Sequence, residues 1–210
     1  AQAAQPGQRA VDKAGVDVQV SEWEVETLCG RFPGLKDGRC AEACFDRPTG
    51  LALCSDRDKL SLIVADCGNC CIRKVALSDG LVTTLAGSTV GGGEGKGWKD
   101  AEATAARFNA PQAVCVDGNN AILVADTNNH CLRMIAGGRV TTLAPRQSTE
   151  VVAGKHNAGE LTKNIPHSTP EAGKKDGVGP SVRFNMPMAL AVDSQGVVAV
   201  ADYGNEGCVR

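Results

Sequence analysis

Apolar and polar side chains between residues 111 and 143 fall into short runs, each too brief for a helix. At 111–117, Ala113, Cys115 and Asp117 stand opposite Val114 and Val116, the period of two that places successive side chains on opposite faces of a strand. Residues 121–126 (AILVAD) are a second run, 130–135 a third, and 140–143, rich in β-branched residues, a fourth. Turn-forming clusters separate them: DGNN at 117–120, DTNN at 126–129 and AGG at 136–138. The pattern predicts four short antiparallel strands in succession.

The unit recurs. Upstream stand VETLCG and CFDRPTGLALCSDRDKLSLIVADCGNCCIRKVALSDG, and downstream RFNMPMALAVDSQGVVAVADYGNEGCVR. Phe45, Phe108 and Phe184 correspond, as do Pro48, Pro111 and Pro187, and Asp66, Asp126 and Asp202. Asp66 and Asp126 are 60 residues apart, Asp126 and Asp202 76, and the extra length falls in a Gly- and charge-rich stretch suited to a surface loop. A four-stranded unit repeated in this way predicts an all-β chain of β-propeller blades. The expected organisation is an extended tail at 1–18, an orphan closing strand at 19–29, and blades at about 45–86, 108–144 and 184–210. A long insertion loop covers 145–180, and the third blade lacks its closing strand.

VADTNNHCLRMI followed by GRVTTLA, with ARFNAP before it, resembles the core of NHL repeats. There a strand ends in Asp, a Gly/Asn turn leads to Asn-His, and a short Arg-containing strand precedes a Gly-led closing strand. The resemblance covers roughly residues 24–210 and is strongest at 107–143. It departs at the turn of the outer units, where Cys70 replaces His130 and 203–207 carries one extra residue. It implies three blades, half of a six-bladed ring. The ring is expected to be completed by a longer chain, or by a second copy that exchanges the 19–29 strand, because a closed ring needs more than three blades.

Each repeated residue has a structural expectation. Asp66, Asp126 and Asp202 should accept backbone N–H groups of the turn that follows them. Arg73, Arg133 and Arg210 should pair with an Asp of the same or a neighbouring blade. Cys71, Cys131 and Cys208 occupy equivalent positions, too far apart for disulfides, and should serve as small buried hydrophobes, which suits a reducing, cytoplasmic setting. Cys40, Cys44, Cys67 and Cys70 are the residues with spacing compatible with zinc, but a single C-x-x-C does not specify a site. GSTVGGGEGKGW lacks the spacing and the Ser/Thr of a phosphate loop and reads as a flexible connector. His130 belongs to the repeat turn, while His156 and His167 lie in the insertion.

Composition narrows the functional classes. With 22 basic and 24 acidic residues, and Phe, Trp and Tyr only 3% of the chain, there is no basic, aromatic-rich footprint for nucleic acid. No apolar run approaches a membrane span of ~20 residues, and the polar start lacks the apolar core of a signal peptide. Ten cysteines are many for 210 residues. The expected activity is a non-catalytic scaffold for a protein partner, without cofactor, nucleic acid or membrane. An RNA-binding propeller ranks second, and a metal-dependent lyase or hydrolase third.

Overall fold

The computed structural model describes residues 10–11, 17–18, 25–56, 59–91, 95–144, 170–178 and 181–210. His156 and His167 and most of the expected insertion loop, residues 145–169, lie outside them. Near the N-terminus β1 (Ala10–Val11) pairs antiparallel with β2 (Asp17–Val18), so the segment expected to be an extended tail contains a short ladder. Of the expected orphan strand, residues 19–24 lie outside the described residues and 25–29 form no strand.

The first unit is an antiparallel sheet of β3 (Gly38–Arg39), β4 (Pro48–Asp56), β5 (Lys59–Asp66), β6 (Cys71–Ala76) and β7 (Leu81–Gly87), in the order β3-β7-β6-β5-β4. The second repeats it with β8 (Ala101–Glu102), β9 (Pro111–Val116), β10 (Ile122–Asp126), β11 (Cys131–Ala136) and β12 (Arg139–Ala144), in the order β8-β12-β11-β10-β9. The third contains β13 (Pro187–Val192), β14 (Val198–Asp202) and β15 (Cys208–Val209). Register confirms the equivalence: Pro48, Pro111 and Pro187 stand opposite Asp66, Asp126 and Asp202.

The sheets are propeller blades. First strands of successive blades lie side by side, β4 against β9 and β9 against β13, so the blades pack face to face. One core joins Ile63, Ala65 and Ile72 of the first blade to Val114, Ile122 and Val124 of the second, with Phe108 fully buried among them. Leu132 of the second blade meets Phe184 and Val200 of the third in a smaller cluster. Gly50 shows how close the approach is: a Cβ there would fall 2.6 Å from the Gln112 carbonyl oxygen and 2.7 Å from Ala113 Cα. Only glycine lets the two backbones meet at that point.

Candidate functional site

The repeated charged residues converge on one buried network per blade. In the second blade, Asp126 Oδ1 accepts the backbone N–H of Asn109 at 2.8 Å. Asp126 Oδ2 accepts Asn129 Nδ2 and Arg133 Nη1, both at 2.8 Å. Arg133 also donates to the carbonyls of Arg107 and Lys99, each at 2.9 Å, and its Nη2 meets Asp100 Oδ1 at 2.7 Å. Its guanidinium lies 5.0 Å over the Phe108 ring. Asp100 in turn accepts the backbone N–H of Thr142 at 2.9 Å, tying the lead-in segment to the closing strand.

The other blades reproduce it. Arg73 bridges Asp66 and Asp37 at 2.9 and 2.8 Å, and lies 4.8 Å over Phe45. Arg210 bridges Asp202 and Asp176 at 3.1 and 2.6 Å, 4.9 Å over Phe184. The Asp–Arg pairing is therefore within one repeat. The carboxylate does not cap its own turn through backbone N–H groups as expected. The backbone donor comes from the lead-in segment, at Asp46, Asn109 and Asn185; the turns after Asp66 and Asp126 have no side-chain cap bond, and each turn contributes an Asn side chain instead.

Asp37, Asp100 and Asp176 escaped the sequence reading, although their signal is present as G-x-K-D at 34–37, 97–100 and 173–176. The same holds for Asn69, Asn129 and Asn205, each three residues after the strand-ending Asp. Their amides donate to the carbonyls of Gly34, Gly97 and Gly173. Gly97 and Trp98, read as the end of a flexible connector, are thus docked on the second blade, where Trp98 Nε1 also donates to Thr142 Oγ1 at 3.0 Å.

Burial pushes the Asp126 carboxyl above the usual carboxylate range, and the Arg133 charge and three donated hydrogen bonds oppose that shift. Burial alone would lower the Arg133 value, yet Asp126, Cys131 and Asp100 carry it above its ordinary one. The carboxylates and guanidinium of each network pair with one another inside the blade, while Arg73 Nε and Arg133 Nε are buried without a hydrogen bond.

Cys70 and His130 serve as fasteners between blades. Both adopt left-handed backbone, at φ 53° and 52°. Cys70 Sγ accepts the Ala110 backbone N–H at 3.5 Å, and His130 Nδ1 accepts that of Met186 at 3.1 Å. Burial lowers the His130 pKa, and only neutral imidazole can accept this bond. The unfolded chain then binds the proton more readily than the folded one, so stability falls as pH drops below about 6.5, the unperturbed histidine value, toward the lowered folded one. Urea midpoints measured across that range should decline for the native chain and decline less for His130→Asn, whose side chain tolerates the left-handed turn. Equal slopes would refute the assignment.

Cys40 and Cys44 lie in the lead-in loop, while Cys67 and Cys70 lie in the turn after β5, and among the described residues no three metal-ligating side chains gather. All ten cysteines are free thiols. Burial pushes the Cys67, Cys70, Cys71 and Cys131 thiols up, which disfavours the thiolate that metals and electrophiles require. Cys71 and Cys131 are fully buried and Cys208 is half-buried.

The first blade leaves an apolar face exposed. On the face of the first blade turned away from the second, Leu51 is 62% and Leu53 60% exposed. Their counterparts, by register against Val64, Val124 and Val200, are Val114 and Leu190 for Leu51. Val114 is buried against the preceding blade, and Leu190 packs in the cluster between blades two and three.

Comparison with known proteins agrees with this architecture. The family model for the NHL repeat matches residues 108–133. NHL repeat-containing protein 2 of Gallus gallus is 32% identical over 105 residues, covering 44% of this chain and 14% of that protein. A structural genomics protein of unknown function from Bacteroides thetaiotaomicron superposes with TM-score 0.54 at 20% identity, over 71% of this chain and 31% of that one. An auxiliary nutrient binding protein from the same organism superposes with TM-score 0.50 at 20% identity, over 74% and 35%. At such identity these two matches speak for the fold alone, and the chain spans well under two thirds of each relative.

Proposed function

From the NHL-repeat match at residues 108–133 and the β-propeller blades of the fold, we propose that this chain is a non-catalytic module that binds a protein partner. The observation that carries this reading is the apolar face of β4. Leu51 is exposed at a position that the second and third blades use to pack on a neighbour, and Leu53 at one that the second blade uses, and a polypeptide surface of matching shape is what such a face buries best. The buried ionisable side chains support it, because Asp66, Arg73, Asp126, Arg133 and Asp202 are committed to the blade networks. A near-balanced charge of −2 supports a protein partner over RNA, whose backbone rewards a basic surface.

A photoreactive phenylalanine analogue at position 53 tests the reading. Illumination should yield polypeptide adducts at 53 well above those from the same probe at exposed Gln195. Adduct levels no higher than at Gln195 would remove the face from consideration.

A further inference from the structure

The first repeat carries two thiols where the second carries methyl groups. Val25-Glu26-Thr27-Leu28-Cys29-Gly30 repeats Val82-Thr83-Thr84-Leu85-Ala86-Gly87, and Cys40 stands before Phe45 at the same spacing as Ala103 before Phe108. Cys29 and Cys40 are thus the counterparts of Ala86 and Ala103, and β7, which contains Ala86, packs against the turn Ala103–Ala105. We propose that Cys29 and Cys40 are a redox pair: a small-molecule disulfide oxidises them, joining their sulfurs and clipping Cys29 onto the lead-in loop of the first blade.

The fold already brings the two residues together. The Gly30 N–H donates to the Cys40 carbonyl at 3.3 Å, and the Cys40 N–H donates to the Gly80 carbonyl at 2.8 Å, which anchors Cys40 on the turn between β6 and β7. Both cysteines pack on one cluster, formed by Ala43, Phe45, Val64, Val75 and Val82. Burial first, and then the Cys40 thiol through its charge and a hydrogen bond, push Cys29 up to about 11, which keeps Cys29 a thiol at neutral pH. Neighbouring cysteines are otherwise engaged: Cys44 Sγ faces the Glu42 carbonyl and Cys70 Sγ the Cys67 carbonyl, each at 3.7 Å, while Cys71 and Cys131 are fully buried.

The chemistry balances with an oxidant of the disulfide class, such as oxidised glutathione. One thiolate of the pair attacks an oxidant sulfur, which breaks the oxidant's S–S bond and releases one thiolate with the electron pair. The second thiolate of the pair attacks the mixed disulfide, forming the Cys29–Cys40 bond and releasing the other half of the oxidant. Two protein thiols are oxidised, the oxidant is reduced to two thiols, and the two protons pass to them.

The bond would act on the network of the first blade. Residues 29–40 contain Gly34, Lys36 and Asp37, whose oxygens accept Asn69 Nδ2 and Arg73 Nη2, and Asp37 also accepts the Thr84 N–H at 2.9 Å. Closing this loop removes freedom from the unfolded chain, which should lower the unfolding equilibrium constant roughly 100-fold.

The test incubates the full native chain with mixtures of oxidised and reduced glutathione. After acid quenching and alkylation, it is digested with trypsin and an endoproteinase that cuts after Glu. Cleavage at Glu42 separates Cys40 from Cys44, so mass spectrometry assigns each link. The expected product is a Cys29–Cys40 linked pair of peptides, lighter by two hydrogens than its two thiol peptides together. Urea denaturation should show the oxidised chain to be the more stable, and Cys29→Ala and Cys40→Ala, which install the residues of the second repeat, should each abolish that difference. Absence of the link at every glutathione ratio overturns the inference. So does a link formed only in urea, glutathione left on either cysteine as the end product, or a Cys40–Cys44 link in its place. A Cys29–Cys40 link that leaves the urea midpoint unmoved overturns the effect on the blade.

Discussion

Replacing Arg133 with methionine should lower the unfolding free energy by about 3–5 kcal/mol, the range for removing one partner of a buried ion pair. The side chains of Arg133 and Asp126 are both 0% exposed, so water cannot take the place of the lost guanidinium. Asp126 would keep two hydrogen bonds, from Asn109 and Asn129, but lose its countercharge. The carbonyls of Arg107 and Lys99 would lose donors in the same step. Methionine fills much of the volume, so the loss reads as uncompensated polarity and not as a cavity. Arg210→Met is the internal comparison. Its second partner, Asp176, has a side chain 94% exposed, so solvent can replace that contact and the loss should be clearly smaller. Urea denaturation of both variants decides the matter, and equal, small shifts in midpoint would show that the network adds little.

Phe108→Ala should cost about 3–5 kcal/mol as well, by a different route. The ring is fully buried in the core shared by blades one and two, beside Ile63, Ala65 and Val124. Its loss opens a cavity that rigid sheets on either side cannot close. It also removes the aromatic floor 5.0 Å beneath Arg133, worth about 0.5–2 kcal/mol. A double-mutant cycle with Arg133→Met separates the two contributions. Coupling near zero would mean that Phe108 acts through volume alone. Phe45, at 9% exposure and in the smaller cluster with Val64 and Val75, should give the milder loss of the two.

The comparison between Asp126 and the four cysteines shows what can be read locally. Period-two alternation, turn residues and the recurrence of Phe, Pro, Asp and Arg are properties of short stretches, and they specified strands, blades and the marker positions directly. The residues G-x-K-D were equally local and went unread because their pairing partner lies some thirty residues away: Asp37 meets Arg73, and Asp100 meets Arg133. Cys40 and Cys44 have a spacing that zinc tolerates, yet the fold places them in a different loop from Cys67 and Cys70, and no spacing rule contains that distance.

By itself the sequence determined that the chain is all-β, the four main strands of the repeat to within about a residue, and which residues repeat, but not the two-residue strands β1, β2, β3 and β8, because side-chain alternation and turn chemistry act within a few residues. Only the tertiary structure decided which backbone N–H each Asp receives, that His130 fastens one blade to the next, and that residues 25–29 form no strand despite matching β7 and β12. A strand needs a neighbour to accept its hydrogen bonds, and whether one stands there is settled by how the blades are arranged in space and not by the residues of the segment.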